Sequence, residues 1–309
     1  MKNKSGKVLK IGMVGILSVS AVSYFLYKQL KSDNSYTDYT TDEYCVVKNI
    51  LDGNQQVFYY IYGDTSKDLI FLIHPAFGDH QCFYHQIEPF AKDYCVICID
   101  LVGHGRSQVE DISVKIDKSA SHMAEIMKKE NFEHAHLVGV SLGALIAQHF
   151  SLNYPQKTKT LTALGAYDIN TSDSRFSKSY KINSFATATK VLFSMDSFRQ
   201  DMAEIAVIKK PERERFFKSA NHFKHKSFTI MTTLNKISKP RAGIIYNHPL
   251  LILCGDQDNP LALHAAQSWK ESYPESEYIV IQNAGHCANM DNPFKFNDVV
   301  LSFINKHRQ

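Results

Sequence analysis

Three short stretches hold residues able to do nucleophilic chemistry. Ser141 sits in Gly139-Val140-Ser141-Leu142-Gly143, preceded by the apolar run His136 to Val140 and followed by a helix-forming stretch. Strand, tight turn and helix in that order form a nucleophile elbow, which presents a serine hydroxyl at the end of a sheet. The glycines have a steric reason: a serine on so sharp a turn has a strained backbone, and Cβ atoms two positions either side would crowd it. A serine hydroxyl is a weak nucleophile until a base takes its proton, and the base needs an orienting acid. Gly255-Asp256-Gln257-Asp258 supplies two candidate acids, and Asn283-Ala284-Gly285-His286 a candidate base.

The elements that must position these groups follow from hydrophobic patterning. Apolar and β-branched runs at 45–50, 55–62, 69–73, 94–99, 135–140, 158–165 and 277–282 read as strands, and so does the run that opens PLLILCGDQD at 249–258. Those at 69–73 and 94–99 are continuously hydrophobic, as expected of strands buried on both faces of a parallel sheet. Helical patterns at 82–92, 116–130, 142–154, 261–272 and 293–306 alternate with them, which predicts an α/β fold with a mostly parallel central sheet flanked by helices. Ser141 and the acid and histidine loops each follow a strand, so all would emerge at one edge of that sheet. From about 168 to 246 the alternation stops and amphipathic segments at 185–194, 197–207, 211–224 and 227–237 read as a helical insertion.

Composition sets the limits. With 309 residues, 44% hydrophobic and 21% charged, the chain can bury a substantial core. Its formal charge of +4 is local: six of the 35 basic residues (Lys2, Lys4, Lys7, Lys10, Lys28, Lys31) fall in residues 1–31, leaving 29 against 31 acidic residues. A near-neutral body gives no nucleic-acid footprint. The cysteines at 45, 82, 95, 98, 254 and 287 have neither disulfide-framework nor zinc-site spacing and read as buried thiols. No metal and no cofactor is implied.

The uncharged run at 11–27 spans ~25 Å as a helix, slightly short of a ~30 Å hydrocarbon core. Flanked by lysines and ending in Tyr24, Phe25 and Tyr27, it reads as a signal anchor or transmembrane segment over 1–31. A signal peptide cleaved near Ser20 or Ser23 is the alternative, giving a secreted protein. The lysine excess predicts a cytoplasmic amino terminus and an extracytoplasmic, membrane-anchored body. Residues 32–44 read as a polar tether, and the fold proper as 45–309.

Beyond the elbow, HPAFGDH at 74–80, DLVGHGRS at 100–107, GDQDNP at 255–260 and GHCANMDNP at 285–293 occur in order. Together they resemble the α/β-hydrolase fold serine hydrolases, the single-domain esterase and lipase-like group with a helical lid, over residues 46 to 306. The resemblance implies Ser141 as nucleophile, His286 as general base and then acid, and Asp258 as orienting acid, because the family's acid stands three after the glycine; Asp256 is the runner-up. It implies an oxyanion hole from the backbone N–H groups of Leu142 and Ala76. The family usually has glycine where this chain has Pro75, which donates no N–H and fixes φ near about −65°. His74 and His104 are expected to hold loops, His222 and His225 to be solvated, and KKPERERFFK at 209–218 to form a solvated face.

The implied activity is hydrolysis of a carboxylic ester or thioester, a lipophilic small molecule if Phe193, Phe198, Phe216, Phe217, Phe223, Phe228, Met195 and Met202 line an apolar pocket. The same residues would equally form the insertion's own core. A peptidase, a C–C bond hydrolase or a peroxidase-like enzyme could use the same triad, and a non-catalytic binding protein the same scaffold.

Overall fold

A computed structural model describes residues 45–171, 191, 194–239, 241 and 246–308. The amino-terminal segment, the tether and most of the helix expected at 185–194, Phe193 included, lie outside the described residues. Among the described residues no helix is long and apolar enough to cross a membrane.

Eight strands form one sheet: β1 (Val46–Asp52), β2 (Gln55–Tyr62), β3 (Leu69–Ile73), β4 (Cys95–Ile99), β5 (Ala135–Val140), β6 (Thr158–Leu164), β7 (Leu250–Gly255) and β8 (Glu277–Ile281). Their order is β1-β2-β4-β3-β5-β6-β7-β8, with β1 and β2 antiparallel at one edge and the strands from β4 to β8 parallel. The helices are α1 (Tyr84–Ala91), α2 (Ser119–Lys129), α3 (Leu142–Asn153), α4 (Met195–Ala206), α5 (Lys210–Ala220), α6 (Pro260–Ser272) and α7 (Pro293–Lys306), beside short helical turns.

The two-residue period of a strand explains why the central runs carry no polar positions. In β3, Leu69, Phe71 and Ile73 join one core with residues of α2, α3 and α6, while Ile70 and Leu72 join the other with residues of α1 and α7. Cys95 and Cys98 divide the same way across β4, as their odd spacing predicts, and both are buried free thiols. Each fully buried Leu, Ile or Phe contributes about 1.5–3 kcal/mol, so polar substitution on either face of β3 or β4 is strongly destabilising.

The expected helix at 227–237 is instead a series of short turns, 3-10 at His225–Thr229 and Met231–Thr233, then one α turn at Leu234–Ile237. Hydroxyls compete with the helical ladder there: Thr229 Oγ1 donates to the Lys226 carbonyl at 2.7 Å and Thr232 Oγ1 to that of Thr229 at 2.9 Å. Nor is the charged stretch at 209–218 purely solvated. Arg213 Nε donates to the Val207 carbonyl at 2.9 Å, and the Arg215 guanidinium lies 4.1 Å over the ring of Tyr84.

Several buried histidines are held neutral by their surroundings. Burial pushes His104 down to about 3, and burial with the nearby Lys159 charge pushes His136 down to about 4. Such a histidine takes up a proton on unfolding but not in the native state, so its contribution is lost as pH falls below the unfolded value of about 6.5. For His104 the loss reaches about 2 kcal/mol by roughly pH 5. The protein should therefore melt at lower temperature at pH 5 than at pH 7. His104→Asn, which keeps a donor toward the Val102 carbonyl, should flatten that dependence by about one proton; an unchanged slope in denaturant titrations would contradict it.

Candidate active site

The carboxyl ends of parallel strands lie at one edge of the sheet, and the sequence-predicted residues all follow such ends. Ser141 comes between β5 and α3 with φ of +53° and ψ of −115°, a conformation that costs a non-glycine residue on the order of 1–3 kcal/mol. Both neighbours hold it there. Its N–H donates to the Leu164 carbonyl of β6 at 2.8 Å, and its carbonyl accepts from Ala144 at 2.9 Å and Leu145 at 3.2 Å. The two flanking glycines are steric requirements. A Cβ on Gly139 would lie 2.5 Å from the Ala144 nitrogen, and one on Gly143 2.0 Å from the Ile73 carbonyl oxygen. The second clearance also lets α3 begin against the loop that follows β3.

The histidine has farther to come. It follows β8, which β6 and β7 separate from β5, yet His286 Nε2 lies 2.8 Å from Ser141 Oγ. Its Nδ1 lies 3.0 and 2.9 Å from the two oxygens of Asp258, whose side chain is buried after β7. A carboxylate on Nδ1 fixes the tautomer, because Nδ1 must donate, and leaves Nε2 able to accept the serine proton. Asp256 does not reach the histidine; its Oδ1 accepts the Ala284 N–H at 3.0 Å and braces the histidine loop.

Ala76 lies in the loop after β3, and Leu142 opens α3, where the first N–H groups of a helix have no intrahelical acceptor. Among the described residues neither N–H has a protein acceptor. Pro75 does not disorder this loop, since His74 Nδ1 donates to the Pro75 carbonyl at 2.8 Å and the Gly78 N–H returns to the same oxygen at 3.3 Å. His74 Nε2 accepts the Leu101 N–H at 3.0 Å, so the ring is neutral, in keeping with the burial that lowers its pKa. Asp100 is a second brace. Burial alone would raise its pKa, but the neighbouring His80 charge and hydrogen bond and the Arg106 N–H hold it well below the carboxylate range.

Residues 68–293 match the alpha/beta hydrolase fold family. The chain belongs to that family, and it is an enzyme of it. Among its relatives, rat (Rattus norvegicus) monoacylglycerol lipase ABHD6 is 24% identical over 255 residues, covering 77% of this chain and 75% of the relative. A 2-hydroxy-6-oxononadienedioate/2-hydroxy-6-oxononatrienedioate hydrolase of Paraburkholderia phymatum is 24% identical over 289 residues, 87% of this chain and 98% of the relative. A crystal structure of a membrane phospholipase A superposes with a TM-score of 0.70 at 17% identity, covering 98% of this chain and 99% of that one.

Sequence reasoning missed several supports of this hydrolase site. Gly165, with φ of +63°, follows β6 directly and lies against the histidine loop, where a Cβ would be 3.0 Å from His286 Cε1. Only its place at a strand end could have drawn notice. Asp291, fully buried, accepts the N–H groups of Gly285 at 2.9 Å, Ile208 at 3.1 Å and Lys209 at 2.9 Å, joining the histidine loop to the α4–α5 junction. His222, expected in solvent, is buried against Asp79.

Gly165→Ala combines backbone strain of about 1–2 kcal/mol with displacement of the His286 ring. It should lower the rate of hydrolysis by roughly 10²-fold in a protein that still melts cooperatively, since misplacement by about 1 Å costs that much. A variant with wild-type turnover would show that the ring is not held by this contact.

Proposed function

We propose that this chain is a serine hydrolase that cleaves a lipophilic carboxylic ester or thioester through an acyl-enzyme on Ser141. The observation that carries the reading is the continuous relay from Ser141 Oγ through the His286 ring to both oxygens of Asp258. His286 Nε2 takes the hydroxyl proton as Ser141 Oγ attacks the acyl carbon, and Asp258 stabilises the imidazolium. The negative charge on the carbonyl oxygen is met by the N–H groups of Leu142 and Ala76. Collapse of the tetrahedral intermediate breaks the bond to the leaving alcohol or thiol, which His286 protonates. Water then attacks the acyl-enzyme, giving its proton to His286 and releasing the acid.

The lipophilic part of the reading rests on the segment between β6 and β7, which we take to be a lid. Phe198 and Phe223 are buried with Met195, and Phe228 and Met202 pack against them. The ring of Phe77, the residue after Ala76, meets Phe198 and Phe223 edge-on at 5.1 and 5.0 Å between centroids. An apolar wall beside the oxyanion loop suits an acyl chain better than a charged one. The names of a monoacylglycerol lipase and a membrane phospholipase A among the similar proteins agree with this choice. The apolar run in residues 11–27 fits the same picture as a membrane anchor for an extracytoplasmic body on a tether at 32–44. A C–C bond hydrolase is the second reading, favoured by the relative matched over nearly its whole length.

A fluorophosphonate probe should label the wild type and not Ser141→Ala; labelling that persists would remove Ser141 as nucleophile. His286→Ala should lower turnover by roughly 10³-fold or more. On p-nitrophenyl esters of graded length, kcat/KM should rise with acyl chain. A preference confined to acetate, or activity restricted to vinylogous diketones, would favour another substrate class.

A further inference from the structure

A second acid and histidine lie close together in this protein, away from the Ser141 relay. Asp79, three residues after Ala76, is fully buried. Its Oδ2 accepts the His222 Nδ1–H at 2.6 Å, and its Oδ1 accepts the Ser219 hydroxyl at 2.7 Å and the Gln81 N–H at 3.0 Å. The Ser219 oxygen in turn accepts the Asp79 N–H at 2.8 Å. Ser219 lies in the last turn of α5 and His222 two residues past its end, so both belong to the segment between β6 and β7. Both are buried.

The contact has a direction that packing alone lacks. Phe77, with φ of +69°, lodges among the rings of the same segment, but a ring among rings can slide or rotate at little cost. A buried carboxylate must keep its donors, because losing one leaves a desolvated charge unmatched, so its hydrogen bonds fix both position and orientation. On the other side of Ala76, the Pro75 carbonyl is tied to His74. Ala76 is thus strung between a tie to the sheet side and two ties to the inserted segment.

We propose that Asp79, Ser219 and His222 form a positioning latch for the oxyanion loop. The segment that covers the site also sets the direction of the Ala76 N–H, and full hydrolytic competence requires that segment to be docked. The inference rests on Ser141 as nucleophile and Ala76 as an oxyanion donor. None of the three residues touches the substrate; they act through the loop.

The test uses the full chain, a p-nitrophenyl ester, and a trifluoromethyl ketone of the same acyl length, which forms a tetrahedral adduct whose oxyanion needs the hole. His222→Leu should lower kcat by about 10- to 100-fold with KM changed by less than about threefold. Affinity for the ketone should fall by the same factor as kcat/KM, because only the tetrahedral state feels the hole. His222→Asn, which places an N–H donor near the position of Nδ1, should recover most of the rate. Ser219→Ala should give the same pattern more weakly, and it carries the test if His222→Leu does not fold. Wild-type kcat and ketone affinity in a folded variant, or a rise in KM alone, would overturn the latch. Failure of the wild type itself to react with a fluorophosphonate would instead overturn the serine reading, and the latch with it.

Discussion

The structure depends on holding one serine in a backbone conformation that serine does not favour. At φ of +53° Ser141 lies outside the regular backbone of the strand that leads in and the helix that leads out. The fold provides the restraint through the neighbours. The serine N–H is bound to β6 and its carbonyl to the first turn of α3, both fixed by a core that is apolar on each face of the sheet. The absent side chains at Gly139 and Gly143 let strand and helix approach closely enough for those bonds to form.

The loops around the serine face a related problem, since irregular backbone at a buried edge must satisfy its N–H groups away from water. This hydrolase uses carboxylates, most of them buried. Asp256 and Asp291 accept from the histidine loop, and Asp100 accepts the Arg106 and His80 N–H groups at 2.8 and 3.0 Å. A carboxylate can accept several N–H groups from diverging directions, so one side chain orders a turn that regular secondary structure cannot. The same device at Asp79 joins the loop after β3 to the end of α5.

The segment between β6 and β7 therefore has two relations to the chemistry. Its aromatic residues offer an apolar wall, which bears on what binds. Its polar residues Ser219 and His222 reach the loop that holds Ala76, which bears on how that loop is oriented. Packing tolerates exchange among Phe, Met and Leu, while the hydrogen-bonded contact does not, so the apolar wall can change without loss of the geometry of the loop after β3.

The α/β alternation and the strands at 69–73, 95–99 and 135–140 were legible because burial on both faces of a sheet writes an uninterrupted apolar run into the chain. Ser141 was legible because its strained turn requires glycines two residues away on either side, and the residue types at Asp258 and His286 because they follow strands that must end at the same edge. The choice between Asp256 and Asp258 came from family resemblance, and only the folded loop shows the first bracing Ala284 and the second meeting His286. Gly165 against His286, Asp291 against Ile208, and Asp79 against His222 were not legible. These pairs lie 121, 83 and 143 residues apart, so no local period marks them. A sequence records which residues must be buried or bent, because those demands act over a few positions. Which polar group meets which across the sheet edge is decided by how the packed layers bring distant loops together.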